Sequence, residues 1–333
     1  MRLVIENGLV VTLDNRRRIL KRGTVAVEDG KIISVENTGK ARGKYKADKS
    51  IDATGKIVMP GFICAHHHLY STFARGMSIP GEPATNFTEI LEKLWWKLDK
   101  ALSKEDIYYS SLIPLIECIR NGTTTIIDHH ESQAQQKESL DEIARAVKEV
   151  GIRASLCLGT SERYGRGEEG LEENKRFLSL LKSESSQLLR GMVGLHAPFT
   201  VNDDTLDKSV KLAKKYDVGI HVHCAEDNVD QKESLRKYDM RVIERLDIHE
   251  ALGKKSIAVH CVHIDKKEMD ILKATGTNVV HNPESNMNNA VGCADVLRMM
   301  EKGILRSVLS IKAKKAMRVL DLLTWMVMAI WIL

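Results

Sequence analysis

From Lys56 onward, short apolar segments that look like strands alternate with helical segments, and this alternation constrains the fold more than any other feature. Seven strand-like segments are read along the chain: IVMPGFICA, TTTIID, RASLCLGT, MVGLHAPFT, GIHVHCAE, SIAVHCVHI and NVVHNPE. Nearly uniform apolar strands predict a parallel sheet covered by helices on both faces. Seven or eight strand–helix units favour a TIM barrel over an open doubly wound sheet. We therefore predict an α/β fold of the (β/α)8 type over residues 57–305.

The first 56 residues follow a different pattern. Short alternating runs, LVIENGLVV and TVAVEDGKIISVE, surround the pair Asp29-Gly30, which is typical of a tight β-hairpin turn. Residues 1–56 are therefore predicted to form a small N-terminal β-subdomain of the sandwich type.

An insert from Ser78 to Leu102 carries apolar residues at helical spacing in FTEILEKLWWKLDKAL. Such a stripe is typical of a helix packed on the core. The alternative is a lid in which Trp95 or Trp96 borders a substrate pocket.

Charge and cysteine content exclude several classes of protein. The net charge of +5 is spread over 50 basic and 45 acidic residues, without a basic stripe, so nucleic-acid and membrane partners are not expected. The six cysteines show no C-x-x-C pair, which is typical of reduced thiols in the cytosol. Because the N-terminus lacks a signal-peptide pattern, we expect a cytoplasmic protein.

Metal-capable side chains lie at the ends of the predicted strands, where barrel enzymes place their active sites. His66 and His68 are two residues apart on one strand, so both imidazoles point the same way while His67 points elsewhere. The fifth strand repeats this spacing with His221 and His223. Further candidates follow at or near strand ends: Glu226, His260, His263 and His281.

This residue set has a recognised chemistry. Three imidazoles and a carboxylate can hold Zn²⁺ or Fe²⁺ while leaving one position for water, whose pKa the metal lowers to about 7. A carboxylate that does not bind the metal can then carry the proton to a leaving amine, and Glu226 fits that role.

Four motifs, PGFICAHHH, HVHCAED, AVHC and HNPESN, resemble the metal-site motifs of the amidohydrolase superfamily, and the resemblance spans residues 1 to about 305. The strings WWKLDKAL, IIDHH, HAPFTV and HNPESNMNNAVG resemble the branch that contains chlorohydrolases, guanine deaminases and aminohydrolases of the SsnA type. The fourth strand, MVGLHAPFT, lacks the lysine or glutamate that bridges two metals in binuclear members. The resemblance therefore implies a mononuclear site.

The resemblance also implies roles for individual residues. One divalent metal ion, zinc or iron, would be bound by His66, His68 and His223. Glu226 would be the proton shuttle, and His260 would polarise the attacking water. His196 would reach the substrate, together with residues that bind it or brace the pocket: His129, His130 and Asn282 as substrate-binding residues, and Asp128 and Asn286 as bracing ones.

The chain departs from the family pattern near Arg306. The family places an aspartate ligand after strand eight, which here would follow Gly303-Ile304-Leu305, but the sequence continues as RSVLSIKAKKAMRVLDLLTWMVMAIWIL with Asp321 as its only acidic residue. Its end, from Leu322, is almost free of polar residues but shorter than the roughly 20 residues that span a bilayer. We expect an incomplete last barrel unit and an atypical tail over residues 306–333, as in a truncated or frame-shifted reading frame.

The predicted function is a metal-dependent aminohydrolase that cleaves a C–N bond of a purine-like, pyrimidine-like or other amino-heterocycle. The alternatives are a chlorohydrolase, a cyclic-amide hydrolase or a catalytically silent family member. The expected partner is a small-molecule substrate, and the resemblance suggests a homodimer.

Overall fold

The computed structural model describes residues 1–78, 80–307 and 330–332. Its described parts divide into two compact units, the first drawn from Met1–Ile63, Cys118–Thr125 and Leu322–Leu333, and the second from Cys64–Glu117 and Ile126–Asp321. The position expected for the strand-eight aspartate, and Asp321 itself, lie outside the described residues.

The described strands, in chain order, are β1 (Arg2–Val11), β2 (Ile19–Glu28), β3 (Lys31–Asn37), β4 (Lys49–Asp52), β5 (Ile57–Pro60), β6 (Phe62–His67), β7 (Thr123–His130), β8 (Arg153–Leu158), β9 (Leu189–Gly191), β10 (Val193–Leu195), β11 (Ile220–Cys224), β12 (Ile257–His260), β13 (Asn278–Val280), β14 (Leu305–Ser307) and β15 (Ile330–Ile332).

The described α-helices are α1 (Thr38–Ala41), α2 (Phe87–Ile90), α3 (Trp96–Leu98), α4 (Lys104–Arg120), α5 (Ser139–Val150), α6 (Gly167–Ser183), α7 (Asp203–Tyr216), α8 (Asn228–Tyr238), α9 (Val242–Ile248), α10 (Lys266–Thr275), α11 (Pro283–Asn288) and α12 (Val296–Lys302). A π-helical turn joins α2 to α3 over Leu91–Trp95, and 3-10 turns occupy Leu69–Ala74, Arg163–Gly165 and Pro198–Thr200. Among the described residues, we find no helix with the length and apolar character needed to cross a membrane.

The first unit is built on one sheet with the strand order β15-β5-β1-β2-β3, and β4 also pairs with β1. The hairpin between β2 and β3 turns at Asp29 (φ 48°) and Gly30 (φ 77°), a left-handed pair typical of a type I′ turn. The predicted hairpin is therefore confirmed. A second layer, which a sandwich would require, is not seen among the described strands of this unit.

The second unit contains the alternating strands and helices that the sequence predicted, and each of the seven predicted segments includes a strand. Its sheets run in the orders β6-β7-β8-β9 and β10-β11-β12-β13-β14, and the neighbouring strands from β10 to β14 pair in parallel. A parallel bridge between Thr160 and Leu195 links the two sheets. The parallel α/β architecture is thus confirmed, and it places the carboxyl ends of successive strands side by side.

Helices α7, α9 and α10 cover the second of these sheets, because their apolar faces meet the apolar side chains of its strands. The buried core includes side chains from both layers: Val193, Leu195, Leu206, Val222, Ile243, Ala258, Leu272 and Val279. Side chains on the other face and at the strand ends are left to form the site.

Close strand packing at the start of β11 depends on Gly219. A Cβ atom at this position would lie 1.9 Å from the carbonyl oxygen of Lys255, in the adjacent backbone. We expect Gly219→Ala to lower the free energy of unfolding by about 1–3 kcal/mol, the usual cost of overpacking, measured by chemical denaturation. Gly39→Ala, where the Cβ would enter open space, is the matched control. Equal stability of the two variants would contradict this explanation.

Candidate active site

Four strands, β6, β10, β11 and β12, bring histidines together at their carboxyl ends. His66 and His68 come from the end of β6, His223 from β11 and His260 from β12. The ring centroids of His66 and His68 are 4.6 Å apart, those of His66 and His223 are 4.9 Å apart, and those of His68 and His223 are 5.0 Å apart. His196 follows β10, and its ring lies 5.9 Å from that of His223. The three predicted metal ligands therefore lie in mutual contact.

Backbone carbonyls fix the tautomers of two of these rings. The His68 Nδ1–H donates to the carbonyl of His129 at 2.6 Å, and the His223 Nδ1–H donates to the carbonyl of His196 at 2.5 Å. In neutral rings both Nε2 atoms must then carry lone pairs, yet these atoms face each other at 3.0 Å. Two acceptors this close require a shared cation.

A proton cannot easily be that cation. Burial lowers the pKa of His68 to about 4, and burial together with the neighbouring imidazoles holds the pKa of His223 well below its ordinary range. Both rings are therefore neutral near pH 7. Neutral imidazole nitrogens are preferred ligands of zinc and similar ions, so the donor set fits a divalent metal.

Other nitrogens extend this donor set. Among the described residues, His66, His223 and His260 offer ligand atoms within 4.8 Å of one another, and so do His68, His129 and His223. His66 differs from the other two predicted ligands, because its Nδ1 contacts the Nε2 of His221 at 2.9 Å instead of a backbone carbonyl.

Glu226 and His260 form a second pair beside the histidines. The His260 Nδ1–H donates to Asn286 Oδ1 at 2.7 Å, which leaves a lone pair on His260 Nε2, 3.4 Å from Glu226 Oε2. The Asn289 amide donates to Glu226 Oε1 at 3.2 Å. Burial raises the pKa of Glu226 to about 7, so this carboxyl can both take and give a proton near neutral pH.

The backbone bends where these side chains leave their strands. Ala225, next to Glu226, has φ 46°, and His260 has φ 69°, both in the left-handed region that non-glycine residues seldom occupy. Strained backbone of this kind clusters at functional sites. Here it ends β11 and β12 and turns Glu226 and His260 toward each other.

A cavity of about 960 Å³ opens over this cluster. Aromatic side chains form much of its wall: Tyr70, Phe87, Trp95, Trp96 and Phe199. Most predicted site residues also line it: His66, His68, His196, His223, Glu226, His260 and Asn282. Trp95 and Trp96 of the insert thus border the cavity, while Leu98 of the same segment is buried away from it.

The structure does not bring His129 and His130 to the cavity wall, although the resemblance implied that they bind substrate. Both are completely buried. The His129 Nε2–H donates to the carbonyl of Leu195 at 3.0 Å, and the His130 Nε2–H donates to Ser132 Oγ at 2.9 Å. These hydrogen bonds hold both rings in place, and the His129 ring lies 4.6 Å from that of His223, so in this structure the two residues brace the site. Asp128 also braces it, because its carboxylate accepts from the Leu69 backbone N–H at 2.7 Å.

His67 also lines the cavity, beside His66 and His68. Among the described residues, it belongs to neither group of nitrogens that could hold a metal ion, and its Nδ1 is buried without a hydrogen-bond partner. That its imidazole points away from those of His66 and His68 stays a prediction.

Sequence reasoning also missed a charged cluster in the cavity wall, formed by Asp99, Glu131 and Arg163. The guanidinium of Arg163 donates to Asp99 Oδ2 at 3.0 Å and to Glu131 Oε2 at 2.9 Å. Burial raises the pKa of Asp99 to about 6 and that of Glu131 to about 8. Asp99 Oδ1 and the nearby Trp96 Nε1 are buried atoms with no hydrogen-bond partner among the described residues, so this end of the cavity wall contains one unpaired acceptor and one unpaired donor.

Comparison with known proteins identifies similar sequences and structures. The sequence model of the amidohydrolase family matches residues 57–331. The 5'-deoxyadenosine deaminase of Methanosarcina mazei is 35% identical over 304 residues, covering 91% of this chain and 67% of that protein. The 5-methylthioadenosine/S-adenosylhomocysteine deaminase of Desulforudis audaxviator is 33% identical over 306 residues, with the same coverage. The chain thus spans about two thirds of the length of these relatives.

A solved structure is also similar. The adenosine deaminase from Xanthomonas campestris, crystallised with bound zinc, superposes with a TM-score of 0.81 at 25% identity, covering 91% of this chain and 67% of that one.

Proposed function

The chain belongs to the amidohydrolase family and is a metal-dependent aminohydrolase, a hydrolase acting on C–N bonds other than peptide bonds, and we propose that it deaminates a purine nucleoside of the adenosine type. The observation that carries the proposal is that the unprotonated Nε2 atoms of His68 and His223 face each other at 3.0 Å. The buried carboxyl of Glu226 lies in the same cavity wall.

We propose that His66, His68 and His223 hold one zinc or iron ion. A divalent ion bound there would supply Lewis-acid activation of water, lowering its pKa to about 7. The zinc in the similar Xanthomonas structure supports this choice of metal class.

Glu226 is the proposed proton carrier. Its pKa of about 7 lets it accept the proton of the attacking water and later deliver it to the departing amine. His260 Nε2, 3.4 Å from Glu226 Oε2, keeps its lone pair, because burial lowers the pKa of His260 to about 4. The neutral ring can accept a hydrogen bond from the attacking water and so polarise it, and Asn286 keeps the ring in place.

The cavity wall supports a planar, aromatic substrate with polar edges. Trp95, Trp96 and Phe199 offer apolar surfaces for a purine ring. Asn282 Nδ2 is a buried donor with no hydrogen-bond partner among the described residues, and it is suited to a ring nitrogen. His196 donates from Nδ1 to Thr200 Oγ1 at 2.9 Å, so its Nε2 is left as an acceptor.

The free oxygen of Asp99 and the free indole N–H of Trp96 suit the hydroxyl groups of a sugar. A hydroxyl can donate to the first and accept from the second. These contacts favour a nucleoside over a free base, in agreement with the adenosine-type substrates in the names of the relatives.

We also propose that the two parallel sheets close into a (β/α)8 barrel, as expected for residues 57–305. The similarity to the Xanthomonas enzyme over 91% of the chain supports this. The N-terminal sheet would belong to a β-sandwich subdomain, and two chains would form a homodimer.

The substrate assignment is tested by following ammonia and chloride release from adenosine, 5'-deoxyadenosine, 5'-methylthioadenosine, adenine, guanine and a chlorinated triazine. We expect ammonia from the adenosine compounds, with kcat/KM higher than for adenine. Chloride release, or a clear preference for a free base, would contradict the assignment.

The sugar contact is tested with Asp99→Asn. We expect kcat/KM for adenosine to fall about tenfold or more, the cost of losing a hydrogen bond to a charged group, while that for adenine changes little. The free base serves as the internal control for folding and metal content. An equal loss with both substrates would show that Asp99 does not contact the sugar.

A further inference from the structure

The predicted ligand His66 is held by side chains, whereas His68 and His223 are held by backbone carbonyls. We propose that His221 and Cys157 form a hydrogen-bond relay that fixes the tautomer of His66 and so makes it a metal ligand. This inference rests on the proposed metal site but concerns residues that do not themselves face the cavity.

The positions of the protons in the relay follow from the end at the Asp128 carbonyl, where the direction of the hydrogen bond is fixed. The carbonyl of Asp128 can only accept, and it lies 3.6 Å from Cys157 Sγ, so the thiol hydrogen points to it. The sulfur must then accept from His221 Nδ1, which is also 3.6 Å away. With its proton on Nδ1, His221 presents a lone pair at Nε2.

That lone pair determines the state of His66. The His66 Nδ1 lies 2.9 Å from His221 Nε2 and can only be the donor there. Its single proton is thus on Nδ1, and Nε2 is left unprotonated. The relay gives His66 the same tautomer that backbone carbonyls give His68 and His223, so all three rings present Nε2 lone pairs.

The surrounding protein shields the relay from water and holds its side chains in place. His221 and Cys157 are completely buried. Burial raises the pKa of the Cys157 thiol well above its ordinary value, which is consistent with a thiol that stays protonated. Gly194 pairs with His221 across the sheet, and a Cβ there would lie 2.3 Å from the carbonyl oxygen of Leu158 and 3.0 Å from Cys157 Sγ. The missing side chain at Gly194 therefore leaves room for both the β8 backbone and the sulfur.

Loss of the acceptor would leave the Nδ1–H of His66 buried without a partner. The ring could then move its proton to Nε2 or rotate, and either change removes a lone pair from the site. Outer hydrogen-bond partners of metal-binding histidines typically contribute about 10–100-fold to metal affinity. His221 is therefore a positioning residue, and Cys157 acts on the metal through it.

The test compares His221→Leu, which has no acceptor, with His221→Gln, whose amide oxygen can accept from His66. Zinc affinity is measured by chelator competition, and the visible spectrum of the cobalt-substituted protein reports the ligand geometry. We expect His221→Leu to weaken zinc binding about 10–100-fold and to alter the cobalt spectrum. His221→Gln should keep most of the zinc affinity and most of the wild-type cobalt spectrum.

Two substitutions of Cys157 provide a second test, with smaller expected effects. Cys157→Ser keeps a donor for Asp128 and an acceptor for His221, so metal affinity should stay near the wild-type value, whereas Cys157→Ala should lower it several-fold. Nitrogen-15 NMR of the metal-free protein should show His66 protonated at Nδ1 in the wild type and in Cys157→Ser. His249→Gln is the control, because His249 contacts Asp207 through Nδ1 at 2.7 Å and is outside the relay, so its zinc affinity should match the wild type.

Unchanged zinc affinity and cobalt spectrum in folded His221→Leu would overturn the relay while leaving the proposed function intact. If that variant does not fold, equal metal affinity of Cys157→Ala and Cys157→Ser overturns it instead. A wild-type chain that binds no zinc would overturn the proposed function itself, so the two failures are distinguishable.

Discussion

Glu226→Gln is expected to lower kcat for nucleoside deamination by about 10²–10⁴-fold, the usual contribution of a positioned general acid–base group. Glutamine keeps the shape of the side chain and can still interact with the Asn289 amide, which donates to Glu226 Oε1 at 3.2 Å. It cannot accept a proton from water or return one to the leaving amine. Zinc content and KM should therefore change far less than kcat.

Steady-state kinetics and elemental analysis of the same preparation separate these effects. Glu284→Gln is the matched control, because Glu284 is an exposed carboxylate that also lines the cavity. We expect it to retain near-normal kcat. A Glu226→Gln variant as active as Glu284→Gln would rule out Glu226 as the proton carrier.

His223→Ala is expected to abolish stable metal binding. His223 belongs to both groups of nitrogens that could hold an ion, and its Nε2 faces that of His68 at 3.0 Å. Removing a direct ligand should cost more than the roughly 10–100-fold lost with an outer partner. Activity should disappear with the metal.

The measurement is zinc per chain after dialysis, with His249→Ala as the control. His249 contacts Asp207 through Nδ1 at 2.7 Å, away from the cavity residues. Retention of metal by His223→Ala would exclude His223 as a ligand, and loss of metal by His249→Ala would indicate general damage to the fold.

Much of the site could be predicted because it depends on local periodicity. His66 and His68, or His221 and His223, lie on one face of their strands because side chains alternate with a period of two. Parallel strands then bring these carboxyl ends together. The hairpin at Asp29 and Gly30 was predictable for a similar reason, since its turn conformation depends on two adjacent residues.

Other features depend on contacts between distant segments and left no local pattern. Arg163 meets Asp99 and Glu131 across separations of 64 and 32 residues. The buried position of His129 likewise involves the carbonyl of Leu195, 66 residues away in the chain.

The direction of a hydrogen-bond relay is another such feature. Cys157, His221 and His66 come from three different strands, and their distances became known only from the fold. The sequence indicated that His221 points toward the site, but not that its partner would be His66.

The most direct test of the central claim is the number of metal ions per folded 333-residue chain, determined by elemental analysis after dialysis against metal-free buffer. The facing lone pairs of His68 and His223 predict about one zinc or iron per chain, released by a strong chelator and restored by adding the ion. A folded chain that holds no divalent metal, even when zinc is supplied, would contradict the account.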